Sequence, residues 1–178
     1  MNKTQLIAGA IALIITCLLA PVFFYVGPIP MTLQTLVLFT IAAVLGKRLG
    51  FLIASVYLIL GAIGLPVFAA WQSGYEHLLG RTAGFLWAFP FVCYYIGWQV
   101  EKGEKSYIHT MIYFFRAHLI LLIPGAIVAY GNYGGELVDG IVRLLPGLLI
   151  KSGVGGLLSF WLIQKLPSKW TGVNFVKQ

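Results

Sequence analysis

Charge is scarce in this chain. Of its 178 residues 10% are charged and five are acidic, whereas an ordinary soluble domain carries about 25% charged residues. With 60% hydrophobic residues and a mean hydropathy of +0.91, too few polar groups remain to coat a water-facing surface. A soluble globular domain is excluded, and an integral membrane protein in contact with the lipid bilayer is expected. Cysteine is nearly absent. Cys17 and Cys93 each lie inside an apolar run without CxxC or metal-like spacing, so neither a disulfide framework nor a zinc site is expected, and both read as small buried residues. Catalytic patterns are missing too. His77, His109 and His118 form no HExxH, there is no GxSxG, and no two acids share an apolar run, although an embedded enzyme needs a nucleophile with its base or clustered metal ligands. The chain is therefore not read as an enzyme, and no metal or cofactor is expected. Gly46-Lys47-Arg48-Leu49-Gly50 is a tight turn and not a phosphate loop of the GxxxxGK[ST] kind, so active transport would draw on a gradient or another subunit. No basic run exceeds Lys47-Arg48, which removes nucleic acid as a partner.

What is present is a series of oily stretches, at about Leu6 to Tyr25, Leu33 to Leu45, Phe51 to Ile63, Phe85 to Val100, Tyr107 to Tyr130 and Leu148 to Leu166. They predict an all-α membrane protein with six spanning helices in one domain over residues 1–178. The second and third runs are shorter than the roughly 20 residues a straight span needs, so they borrow flanking segments or sit buried among neighbours. Lys3, Lys47, Arg48, Lys102, Lys105, Lys165, Lys169 and Lys177 fall at the termini or in the second and fourth loops, and only Arg81 and Arg143 in the odd loops. Lys and Arg accumulate on the cytoplasmic side of short loops, so a multi-pass protein of the cytoplasmic (inner) membrane with both termini inside is expected.

The interruptions carry the functional signal. Residues Gly61 to Phe85 form the longest break, too apolar for free solvent, with Leu65, Val67, Phe68, Trp71, Tyr75, Leu78 and Leu79 among its polar groups. A re-entrant outer loop between helices 3 and 4 is the expected form, because non-helical backbone at membrane depth survives only against protein or a water-filled cavity. Gly27-Pro28-Ile29-Pro30 forces an extended connection, and after it Thr32, Gln34 and Thr35 place neutral hydrogen-bonding groups at the mouth of the second run, to satisfy loop backbone or to face a ligand. In the first run Ala8 and Ala12 lie one turn apart on one face, which suits close helix packing inside the chain or docking of a separate subunit. Arg116 and His118 lie about 14 and 17 Å along their helix from Tyr107, near mid-membrane, and read as structural groups facing the bundle interior or snorkelling. Gly131 to Asp139 reads as a polar outer loop and Leu145-Pro146-Gly147 as a helix break, with Lys151 one turn into the last span. Lys151 has no acid within four residues, so it is an interface anchor or a ligand's counter-charge.

Four of these segments, Ile29-Pro30-Met31-Thr32-Leu33-Gln34-Thr35, Gly61-Ala62-Ile63-Gly64-Leu65-Pro66-Val67-Phe68, Gly80-Arg81-Thr82-Ala83-Gly84-Phe85, and Leu145-Pro146-Gly147 with Lys151, together resemble the BioY family over nearly the whole chain. The resemblance implies a substrate-binding S component of an energy-coupling factor transporter, which holds biotin near its outer face and works with a transmembrane T subunit and ATPase subunits where these are present. Its motifs place Thr32, Gln34, Thr35, Thr82, Gly84 and Lys151 at the site. Phe68, Trp71 and Phe85 suit the apolar ring and chain of biotin, and Lys151 helped by Arg81 is expected to hold the carboxylate, with Arg116 as the competing cation. The resemblance also favours Ala8 and Ala12 as the docking face for the T subunit. The chain departs from the family pattern at Arg81, Ala83 and Phe85, where Gly-Pro-Thr-Gly-Gly-Tyr is usual for 80–85, and at Leu148, where the family has an Asp. The alternatives are an S component for another small vitamin-like ligand, or a non-catalytic membrane structural or assembly protein.

Overall fold

The computed structural model describes residues 3–26, 29–104, 106–131, 137–171 and 173. Its six α-helices are α1 (Lys3–Leu19), α2 (Gln34–Leu45), α3 (Lys47–Ala62), α4 (Ala83–Lys102), α5 (Tyr107–Gly131) and α6 (Leu137–Lys165). Between α1 and α2 a hairpin pairs β1 (Phe23–Val26) with β2 (Ile29–Thr32), Phe23 opposite Thr32 and Val26 opposite Ile29. The extended reading of Ile29-Pro30 agrees with β2, whereas Gly27-Pro28, Lys105 and 132–136 lie outside the described residues.

The core forms around the shortest helix. α2 has 12 residues and buries nine of them, Gln34, Val37 to Thr40 and Ala42 to Leu45, against α1, α3, α4 and α6. Small residues allow this: a Cβ at Gly50 of α3 would collide with Ala42 of α2, and one at Gly97 of α4 with the Lys47 backbone. α2 turns into α3 at Gly46 alone, whose φ of 86° lies in the left-handed region that favours glycine. The start of α3 is then tied to the end of α4. Glu101 accepts from the Lys47 backbone N–H at 2.8 Å and from Lys47 Nζ at 2.9 Å, satisfying one of the unpaired amides at a helix start. Glu101→Ala is expected to cost about 0.5–2 kcal/mol, read as a lower unfolding temperature in detergent.

Three expectations change. The first helix ends at Leu19, and the residues from Phe23 leave it for the hairpin. α6 runs unbroken through Pro146 from Leu137, so the expected loop to Asp139 and the break at Leu145-Pro146-Gly147 give way to helix, which membrane helices tolerate where neighbouring elements satisfy the freed backbone. Ala8 and Ala12, expected as a docking face, are turned inward. They are each 7% exposed and belong to the core, on the side where a Cβ at Gly9 would press on Leu49 of α3. The outward side of α1 is the large-residue one, with Leu6, Ile7, Ile11, Ile14 and Leu18 exposed. Among the described residues two helical segments, Tyr107–Ala129 and Leu144–Lys165, are long and apolar enough to cross a membrane, while α1 and α2 are shorter apolar helices.

Candidate functional site

The hairpin, the 63–82 loop and the neighbouring helix ends close over a cavity of about 470 Å³ with a mostly apolar wall. The loop is folded rather than open. Its turns Ala69–Trp71 and Tyr75–Leu78 are 3₁₀, Phe68 and Val67 are buried, and the Ala70 N–H donates to the Pro21 carbonyl at 2.9 Å, tying the loop to the chain before β1. Ala70 and Trp71 hold φ of 57° and 61°, a left-handed conformation that residues with a Cβ seldom adopt.

The neutral polar groups of the wall include Thr32, Gln34, Thr35 and Thr82. Gln34 Nε2 donates to the Tyr57 hydroxyl at 2.7 Å, and that hydroxyl donates to the Val67 carbonyl at 2.7 Å. This chain fixes the amide plane and joins α2 to the loop through α3. Its apolar part comes from Phe68, Phe85, Leu86, Phe89, Leu121, Leu122 and Leu148. Along α5 the lining begins at His118, and along α6 it runs from Leu144 to Lys151. Ser152, next to Lys151, brings its Oγ within 3.1 Å of His118 Nδ1, so the two helices meet at this level. No carboxylate among the described residues pairs with Lys151.

The structure therefore gathers Thr32, Gln34, Thr35, Phe68, Thr82, Phe85 and Lys151 from the sequence reading into one wall, and leaves three residues out of it. Trp71 is 57% exposed. Arg81 is exposed on the loop outside the wall, so it is separated from Lys151, the cation with which it was paired in the sequence reading. Gly84 is buried where α4 meets α5, and a Cβ there would overlap the Pro124 carbonyl. Gly84→Val is thus expected to force the helices apart and cost about 1–3 kcal/mol, measured as a fall in unfolding temperature and in monodisperse yield. The sequence reading missed Phe23, Met31, Gln72, His77 and Phe89 as lining residues, and it gave His118 a purely structural role. A signal existed for part of this: Leu144, Leu148 and Lys151 recur at spacings of four and three, which marks one helix face.

A sequence model described as the BioY family matches residues 1–167. The chain is 37% identical over 111 residues to a "Probable biotin transporter BioY" of Pyrococcus horikoshii, covering 62% of this chain and 66% of that one. It is 46% identical over 79 residues to a "Biotin transporter BioY" of Thermotoga maritima, covering 44% and 47%. The matched stretches span less than two thirds of these relatives. In fold it is similar to a crystal structure titled as the S-component for biotin from an ECF-type ABC transporter, with a TM-score of 0.80, 23% identity and coverage of 93% and 95%.

Proposed function

The chain belongs to the BioY family, and from that premise we propose that it is the biotin-binding S component of an energy-coupling factor uptake transporter, a membrane protein that binds and passes on its vitamin without catalysing a reaction. One observation carries the reading: the cavity wall is mostly apolar, with a few neutral hydrogen-bonding groups and a lysine among its lining residues. Biotin offers the complement, an apolar bicyclic ring and aliphatic chain that carry a neutral urea and a carboxylate, and small-molecule sites combine mostly apolar walls with few placed polar groups. Purified protein in detergent is expected to bind radiolabelled biotin saturably and to release it to excess unlabelled biotin but not to riboflavin or thiamine. Absence of saturable biotin binding would overturn the reading.

The finer features follow from the same premise. All six helices cross the cytoplasmic (inner) membrane, both termini face the cytoplasm, the 63–82 loop acts as a re-entrant cover, and a T subunit with ATPase subunits supplies the energy for the cycle. The Lys and Arg bias and the folded-back loop with its buried Val67 and Phe68 support this arrangement. On intact cells an impermeant thiol reagent is expected to label Gly74→Cys and to spare Lys102→Cys; the reverse pattern would invert the topology.

A further inference from the structure

We infer that His118 accepts an N–H of the bound ligand on Nε2 and thereby decides which end of the ligand enters first. His118 is 5% exposed. Its Nδ1 lies 2.9 Å from the Phe114 carbonyl one turn back, and a carbonyl can only accept, so in the neutral ring the proton sits on Nδ1. Ser152 Oγ lies 3.1 Å from the same nitrogen and gives its own proton to the Leu148 carbonyl at 2.8 Å, so it too offers Nδ1 a lone pair. Both neighbours thus leave Nε2 as a bare acceptor.

That nitrogen is buried, and no protein group among the described residues pairs with it. The Phe39 ring, 4.8 Å away between centroids, holds the imidazole in place, and His118 lines the cavity as Lys151 does. A bare lone pair repels a carboxylate and favours an N–H, while an ammonium beside it donates to an oxygen. A group offering an N–H next to a C=O, as an amide or cyclic urea does, meets both. Resting on the biotin reading, the urea ring is then the end that goes in first and the carboxylate stays towards the hairpin. Nε2 is screened from solvent, so the ligand reaches it by displacing side chains of the wall.

The test uses the full chain in lipid nanodiscs. His118→Asn keeps an amide near Nδ1 for Phe114 and Ser152 but has nothing at Nε2, whereas His118→Gln restores an oxygen there. Biotin is expected to bind His118→Asn about 5- to 150-fold more weakly than wild type and His118→Gln within about 3-fold of wild type. Biotin methylated on its ureido nitrogens is expected to lose affinity for wild type and to lose nothing further on His118→Asn. Independently of any variant at this position, ¹⁵N-histidine NMR of wild type is expected to show the bare Nε2 resonance moving on addition of biotin, assigned with His77→Gln and His109→Gln. An unmoved resonance, or equal biotin affinity in wild type and His118→Asn, overturns the role of His118 while the vitamin reading stands. A wild type that binds no biotin overturns both.

Discussion

Lys151→Met weakens biotin about 10- to 150-fold. The figure follows from a charge-assisted hydrogen bond worth about 1.5–3 kcal/mol at 1.4 kcal/mol per decade of affinity. Lys151 lines the cavity and has no carboxylate partner among the described residues, so a ligand oxygen takes up donors that the protein leaves idle. Methionine keeps the length and apolar stem of the side chain, and the loss therefore reports the ammonium and not a hole in the packing. Arg116 is the control. It shares α5 with His118 but is exposed and outside the wall, and Arg116→Met is expected to bind biotin as wild type does. Isothermal titration or filter binding measures both, and wild-type affinity in Lys151→Met would remove the lysine from the site.

The second large effect is at Tyr57, which touches no ligand. Its hydroxyl is fully buried between the Gln34 amide and the Val67 carbonyl. Tyr57→Phe preserves the ring and its edge-on contact with Phe68 at 5.8 Å but deprives a donor and an acceptor of their partner at once, at about 1–3 kcal/mol for each buried group. Unfolding temperature falls. Biotin dissociation is also expected to accelerate, because Val67 and Phe68 belong to the loop that lines the cavity and the amide plane of Gln34 is no longer held. A variant with unchanged stability and unchanged dissociation rate would show that the hydroxyl does not connect loop to wall.

How far the sequence spoke differs from residue to residue. Thr32, Gln34, Thr35, Thr82 and Lys151 were legible because a polar side chain in an oily run must find a partner, and the structure brings all five to one wall. His118 was visible as an ionisable group at mid-helix, but its direction depends on Ser152 from another helix, and no spacing along α5 reveals that contact. The inward turn of Ala8 and Ala12 was equally hidden, since small faces serve contacts within a chain and between chains alike. Trp71 and Arg81 lie in the loop, where no helical or strand period ties position to direction, and Gly84 resembles a ligand contact in sequence although its missing Cβ serves the approach of α5. α2 is apolar almost all round because it is surrounded by protein, so its pattern carried no facing information.

The brevity of α2 also sets the physics inside the cavity. Twelve residues give about 18 Å of helix where the hydrocarbon slab is about 30 Å thick, and the hairpin leading into α2 helps to wall the cavity over the remainder. In the proposed arrangement a ligand that reaches Lys151 and His118 is sunk below the headgroups, in a medium of low dielectric. A charge contact formed there would be several times stronger than the same contact in water, which would let a chain with so few ionisable residues hold the proposed vitamin with one of them.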